Sequence, residues 1–365
     1  MDKATERAVS SGPGASTTKA VVVTSLGRAT VEDVFMPIVP NDWILVKVKA
    51  VATNPTDWKH VALGGADVGC RVGCDYAGVV EKIGSEVTNF KVGDRITGWV
   101  HGSNRANHES GAFAEYAIAK ASVQRKIPEC LSFEEAATLG TAIMTVGQGM
   151  YMRLKLPLPS GPSKVPFPIL IYGGSTATGM VGIQLAKLSG LQVITTCSPH
   201  NFDLVKSFGA DAVFDYKSPT CSADIKEFTK NQLTYSWDCT GDGAGLCAAA
   251  MSDTEPGVYG TIMPADYELL TKTNPKVEGQ PFMRGYDTQG ENYFWFGQIP
   301  VTPDLEEMKY YQSFLELTQP FLENGSIKPP RYVVNKTGAG LDGVVKGLDE
   351  MKAGKISGEK LVYTI

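Results

Sequence analysis

Short apolar runs separated by glycine turns fill the first part of the chain. AVVVTS at 20–25, DWILVKVKAVATN at 42–54, YAGVVEKIG at 76–84, DRITGWV at 94–100 and AFAEYAIA at 112–119 each read as a strand. Turns at Gly27, Gly73, Gly84-Ser85, Gly93-Asp94 and Gly111 separate them, which predicts a compact β domain rather than alternating strands and helices. The period then lengthens. Residues 128–152 read as helical, and Ser132 with Glu135 three residues on offers a capped start. Residues 156–168 hold five prolines and predict an extended connector.

Residues 169–172 form a β-branched run of the kind that makes a buried parallel strand. Gly173, Gly174 and Gly179 follow in a turn; Met180, Val181, Ile183, Leu185 and Leu188 then recur at helical spacing up to Gly190. Residues 193–196 restart a strand. Strand, glycine turn, helix and strand make a βαβ unit whose turn aims free N–H groups and a helix dipole at a pyrophosphate. In the register G-x-G-x-x-G, Gly174 and Gly179 hold the ends and Thr176 stands in the middle. The phosphate contact is therefore expected to draw on the hydroxyls of Ser175, Thr176 and Thr178. A plain helix-packing turn is the competing reading.

The next strand ends in Cys197-Ser198-Pro199-His200-Asn201. An NAD site places Asp or Glu there, about 20 residues past the glycines. No carboxylate stands here to repel a 2′-phosphate, Ser198, His200 and Asn201 can donate to one, and Lys217 can add charge, so NADPH is expected over NADH. The same residues can simply cap a helix beginning near Phe202, and both readings can hold. The unit runs on through strands at 212–216, 235–239 and 257–263 and a helix near 222–231. Residues 264–303 read as irregular and aromatic, a helix follows at about 304–323, and residues 341–365 close the chain. The expected divisions are a flexible tail at 1–18, a catalytic domain at 19–165, a nucleotide-binding domain at 166–303 and a return at 304–365.

Composition narrows the function classes. With 365 residues and 43% hydrophobic content, the chain can bury one large or two ordinary cores. A net charge of −5 gives no global attraction to nucleic acid or an anionic membrane. No apolar run approaches the roughly 20 residues that span a bilayer. The polar first 18 residues lack the apolar core of a signal peptide, and seven scattered cysteines suggest reduced thiols, so a cytoplasmic protein is expected.

Several motifs together carry a family resemblance. They are Asn54-Pro55-Thr56-Asp57, Gly73-Cys74-Asp75-Tyr76-Ala77-Gly78, Val92-Gly93-Asp94-Arg95, Gly111-Ala112-Phe113-Ala114-Glu115-Tyr116, the glycine turn, and GKISGEKLV at 354–362. Over residues 19–365 the chain resembles the medium-chain dehydrogenase/reductase superfamily. That implies an α/β fold, a GroES-like β domain plus a Rossmann-type doubly wound parallel sheet. Within it, YGGSTAT at 172–178, CSPHNFD at 197–203 and Phe214-Asp215-Tyr216 are similar to the trans-acting enoyl reductases of fungal iterative polyketide synthases. The resemblance implies hydride transfer from NADPH to an α,β-unsaturated thioester on the synthase's acyl carrier domain, in secondary-metabolite biosynthesis. It implies a monomer or homodimer that meets the synthase in trans.

Zinc-dependent members need a catalytic Cys and a His-Glu pair. Asn54 stands at the first position and Cys74-Asp75 replaces the pair, while His101 and His108 read as solvent-facing loop residues, so no metal is expected. By resemblance, Thr56, Asp57, Trp58 and Lys59 face the nicotinamide, with Lys59 the first choice for a catalytic or ribose-binding cation. A surface lysine is the alternative. Gly140, Thr141, Ala142, Ile143 and Met144 are implied to approach nicotinamide and substrate, with Thr141 donating a hydrogen bond; a helix packed through small residues is compatible with this. Further implied cofactor contacts are Gly174, Ser175, Thr176, Ala177, Thr178, Ser198, Pro199, His200, Asn201, Tyr216, Met263, Ser357 and Gly358. Phe282, Met283, Arg284, Gly285 and Tyr286 match a substrate-lining segment. The run Tyr293-Phe294-Trp295-Phe296 can line an acyl pocket or belong to a core or interface edge. A carrier-docking patch can include Lys59, Arg71 or Arg284. A free-standing quinone or enone reductase and a non-catalytic NADPH-binding protein remain the competing functions.

Overall fold

The computed structural model describes residues 16–295 and 297–365. Residues 1–15 of the expected tail and Phe296 of the aromatic run lie outside that range. Thr17 and Thr18, assigned to the tail from sequence, already belong to the strand Thr17–Ser25. That strand forms an antiparallel hairpin with Arg28–Phe35, an element the hydrophobic pattern missed because RATVEDVF is largely half-buried or exposed.

Trp43–Ala52 is the centre of a seven-stranded sheet. Its near-continuous burial reflects packing on both faces, Ile44, Val46 and Val48 in one apolar cluster and Trp43 and Leu45 in another. Asp75–Ile83 pairs along one side, while Tyr116–Lys120 and the C-terminal strand Lys360–Thr364 share the other. The chain's last strand therefore closes its first domain, with Val362 opposite Ala52.

A second, six-stranded sheet is wholly parallel. Numbered along the chain from Pro168–Tyr172, its strands lie in the order 3-2-1-4-5-6, the doubly wound arrangement of dinucleotide-binding domains. The order reverses between Pro168–Tyr172 and Tyr235–Asp238, where Tyr172 pairs with Asp238. The sixth strand, Val277–Gly279, falls in the stretch read from sequence as irregular. That stretch also holds the helix Tyr267–Thr273 and a hairpin of Tyr293–Trp295 with Ile299–Val301. A three-residue strand with one apolar side chain leaves no period to detect.

The two sheets share a continuous core. Its bridge is the expected helical stretch, which comes in pieces: Phe133–Ala137, Gly140–Val146 and a wider π-helical stretch, Gly147–Arg153. The anticipated cap is present, with Ser132 Oγ accepting from the Glu135 N–H at 3.1 Å and Glu135 returning the bond at 2.9 Å. At Gly149 the bridge presses directly on the second sheet, since a Cβ there would stand 1.7 Å from the Trp237 ring. The helix Leu305–Glu323, capped by Asp304, buries Glu307 against Gln148 and Arg153 of this bridge. No described helix is long and apolar enough to cross a membrane.

Candidate functional site

A cleft of about 510 Å³ opens where the strand order of the parallel sheet reverses. One wall is the glycine turn and the start of the helix Ala177–Leu188; the other is Asn54, Pro55 and the return segment 356–360. Gly173 adopts a φ of +82°, open to glycine without strain. A Cβ on Gly179 would lie 2.4 Å from the Gly173 carbonyl oxygen, so the helix meets the turn only because that side chain is missing.

Thr176 is the N-cap of this helix. Its Oγ1 accepts from the Gly179 N–H at 2.9 Å and donates to the Gly173 carbonyl at 2.8 Å. The Thr176 hydroxyl hydrogen is engaged inside the turn, while the residue itself lines the cleft as expected. Ser175, Ala177 and Thr178 do line the cleft, and the first-turn N–H groups of Ala177 and Thr178 have no intrahelical acceptor. The buried Thr53 Oγ1, also in the cleft wall, has no hydrogen-bond partner. Cradle, open N–H groups and unpartnered hydroxyl together fit a nicotinamide dinucleotide.

Past the ends of the strands Gln192–Thr196 and Ala212–Phe214, Ser198 and Tyr216 line the cleft. Pro199–Asn201 forms a 3-10 turn without the anticipated side-chain cap on the helix Phe202–Ser207. His200 Nε2 and Asn201 Nδ2 instead meet Ser357 Oγ at 3.1 and 3.2 Å. Ser357 and Gly358 line the cleft as expected, and this contact ties the return segment to the second-strand loop. Met263 does not line it; its side chain packs over Gly241, and Ile262 takes the position on the wall.

Behind the Asn54 and Lys360 wall of the cleft lies a buried polar network of Lys360, Asp75 and Asn54, none of which the motif reading singled out as a site residue. Lys360 donates its ammonium to Asp75 Oδ2, to Asn54 Oδ1 at 3.0 Å and to the Thr138 carbonyl at 3.3 Å. Asn54 Nδ2 donates to Asp75 Oδ2 at 3.0 Å. Asp75 Oδ1 accepts from both the N–H and the Oγ1 of Thr141, at 2.7 and 2.6 Å. The hydroxyl hydrogen of Thr141 is therefore committed to Asp75, which corrects its expected role as a donor to substrate. Lys360 escaped notice because a lysine beginning the strand KLVYT looks like a solvated strand end; it is 3% exposed.

A zinc ion does not fit here. Ligation asks for a thiolate and for carboxylate oxygens free to coordinate. Both oxygens of Asp75 are engaged, Oδ2 by Lys360 and Asn54 and Oδ1 by Thr141, and Asn54 stands where a thiolate would be needed. Among the described residues no group of three or more His, Cys, Asp or Glu gathers as a ligand set.

The short helix Pro55–Ala62 sorts its residues to different faces. Pro55 lines the cleft, and Lys59 lies on the same face four residues on, its Nζ 5.9 Å from the Trp58 ring centroid. Trp58 itself is turned away, into a groove against Val345 and Leu348 of the helix Gly340–Lys352, which corrects its expected place at the nicotinamide. Asp57 is buried too, its Oδ2 accepting from the Asn54 N–H at 2.7 Å. Burial lifts its carboxyl to about 7, against the lowering effect of the Asn54 and Cys74 contacts. Asp57 supports the site from behind and does not line the cleft.

The linking helix behaves likewise. A Cβ on Gly140 would meet the Gly98 carbonyl at 2.3 Å, and Ala142 and Ile143 are each 1% exposed in the shared core. Packing, not substrate contact, explains those three. Met144 faces the other expected segment, with its Cε beside Gly285. Phe282 stacks on Trp295 at 5.3 Å, and Tyr286 reaches the β domain, 2.7 Å from Thr56 Oγ1. Two further expectations fail on burial. His101 is 5% exposed and stacks on Tyr286, whereas His108 is exposed as anticipated. Arg71, offered as a docking cation, is 4% exposed, with its Nη2 on the Phe35 carbonyl.

Comparison with known proteins agrees with this architecture. Residues 40–129 match the alcohol dehydrogenase GroES-like domain and residues 177–259 match the zinc-binding dehydrogenase model. Trans-enoyl reductase ACTTS2 of Alternaria alternata is 41% identical over 96% of this chain and 99% of its own length. Trans-enoyl reductase TOXD of Cochliobolus carbonum is 51% identical over 67% of this chain and 83% of its own. Among solved structures, a putative zinc-dependent alcohol dehydrogenase from Rhizobium etli CFN 42 superposes with a TM-score of 0.76 at 22% identity, covering 96% of this chain and 98% of its own. The CurK enoyl reductase superposes with a TM-score of 0.74 at 16% identity, covering 95% and 99%, a likeness of fold. The identity to full-length relatives, joined to the GroES-like sheet and the doubly wound nucleotide sheet, places the chain in the trans-enoyl reductase family of the medium-chain dehydrogenase/reductase superfamily.

Proposed function

We propose that the protein is an NADPH-dependent enoyl reductase acting in trans on an α,β-unsaturated thioester held by the acyl carrier domain of a polyketide synthase. The observation that carries this reading is the dinucleotide cleft backed by the buried network of Asn54, Asp75 and Lys360 rather than by metal ligands. Conjugate reduction suits such a site, because it asks for orientation and a hydrogen-bonding partner for the developing enolate. Bound in the cleft, the nicotinamide supplies hydride to the β-carbon. The residues do the rest: Gly174, Ser175, Thr176, Ala177 and Thr178 would hold the pyrophosphate, and Ser198 and His200 would meet the 2′-phosphate.

Lys59 is the cation assigned to the ribose or carboxamide. It sits one helical turn after the cleft-lining Pro55, and its ammonium, 5.9 Å from the Trp58 ring centroid, would swing toward the cleft when the cofactor binds. Met144, Phe282, Met283, Arg284, Gly285 and Tyr286 form the substrate side. The protein works in the cytoplasm as a monomer or homodimer, and the synthase's carrier delivers the acyl group on a flexible arm at high effective concentration.

The deciding experiment compares specificity constants for one enoyl group on the cognate carrier domain and on a short soluble thioester. The reading requires a much larger value on the carrier. Free quinones reduced as efficiently as the carrier-bound chain would make it a free-standing quinone reductase. NADPH binding without turnover of any enone would make it a non-catalytic binding protein.

A further inference from the structure

Beside the cleft, three side chains close a hydrogen-bonded triangle. Tyr286 Oη lies 2.7 Å from Thr56 Oγ1 and 3.4 Å from His60 Nε2, and Thr56 Oγ1 lies 3.1 Å from His60 Nδ1. His60 Nδ1 is also 2.8 Å from the Thr56 carbonyl. A carbonyl can only accept, so the ring proton sits on Nδ1 and Nε2 presents its lone pair to the phenol. Burial keeps the imidazole below its ordinary pKa and therefore neutral.

The phenol is fixed in place as well as hydrogen-bonded. Its ring stacks on the buried His101 at 3.7 Å and an interplanar angle of 12°, and tilts against Trp99 at 5.8 Å. The backbone beneath it is pinned from two sides. Gln148 donates to the Arg284 carbonyl at 3.1 Å, and Tyr293 donates to the buried Asp287 at 2.9 Å. Thr56 follows the cleft-lining Pro55, and Gly285 abuts Met144 of the linking helix. Tyr286 thus stands where the helix carrying Lys59 and the linking helix converge. Burial raises its phenol well above the ordinary value, so the proton is present throughout the neutral range.

We propose that Tyr286 donates the proton to the α-carbon, with Thr56 and His60 as positioning residues. This rests on the enoyl-reductase reading. Hydride addition at the β-carbon leaves an enolate on the thioester. The Tyr286 O–H bond then breaks, a C–H bond forms at the α-carbon from the enolate electron pair, and a phenolate remains. Thr56 turns its hydroxyl to donate to that phenolate, and water entering from the cleft returns the proton.

The test uses NADPH with an α-methyl enoyl thioester of N-acetylcysteamine and the full-length protein. Tyr286→Phe keeps the ring stack and removes only the hydroxyl. Its kcat should fall about 100-fold, the usual scale of general acid catalysis, with KM nearly unchanged. The product should also lose its single α-configuration, since solvent can then deliver the proton to either face. Thr56→Val should lower kcat about tenfold and Thr56→Ser restore it. In the apoprotein, Tyr286→Phe should move the His60 Nε2 signal in nitrogen-15 NMR, a readout independent of turnover. Wild-type kcat with one α-configuration in Tyr286→Phe overturns the proposal while leaving the enoyl-reductase reading intact. A fall in kcat matched by lost thermal stability and a raised KM overturns it in favour of a structural clamp, and an unmoved His60 signal removes the network. A wild-type protein that reduces no enoyl thioester overturns both.

Discussion

The Lys360 ammonium is bonded to the Asp75 carboxylate across 285 positions of sequence, and neither side chain is more than 3% exposed. The last strand thereby places a cation at the centre of a domain begun by the first strands. Asn54 and Thr141 satisfy the remaining lone pairs of Asp75, so the ion pair is held in a fully bonded network.

Lys360→Met strands a buried carboxylate and should destabilise the protein by about 3–5 kcal/mol, read from urea melts. Adding Asp75→Asn should recover part of that loss, because no uncompensated charge is then left inside. A double variant no more stable than Lys360→Met would contradict the pairing.

Asp57 gives the stability a pH dependence of defined sign. Its carboxyl loses its proton near 3.8 when the chain is unfolded and near 7 when folded. The folded state therefore binds the extra proton, and this contribution falls as pH rises through that window and stays low above it. Asp57→Asn should flatten the decline, by about 4 kcal/mol at most. Melts at several pH values that show equal slopes for both proteins would remove Asp57 as its cause.

Gly179→Ala drives a Cβ to 2.4 Å from the Gly173 carbonyl oxygen, a backbone atom that cannot swing aside. The turn must open to accept it. The expected result is a loss of about 1–3 kcal/mol in stability and weaker NADPH binding by fluorescence titration. Unchanged affinity would mean that the turn does not hold the pyrophosphate.

NADPH should bind at least about tenfold more tightly than NADH, the equivalent of one charge-assisted hydrogen bond to the 2′-phosphate. His200→Ala should narrow the difference by weakening NADPH alone. Equal affinities in the wild type would remove the preference.

Local pattern determined a great deal of this protein. The βαβ unit with its glycine turn, the alternating strands of the first domain and the Ser132 capping box each depend on residues within a few positions of one another, so their signals survive in one dimension. The return of residues 360–364 to the first domain was visible only through family resemblance. What the tertiary structure alone decided is which partner each polar group takes. Thr176 and Thr141 look like donors awaiting ligands, but their hydrogens go to Gly173 and Asp75. His101 and Arg71 look solvated, yet Tyr286 covers one and the other reaches the Phe35 carbonyl. Lys360 looks like a strand end and is a buried cation paired with Asp75. A hydroxyl or ammonium takes whichever acceptor folding brings within 3 Å or so, and here that acceptor lies up to 285 positions away, beyond any periodicity a sequence can display.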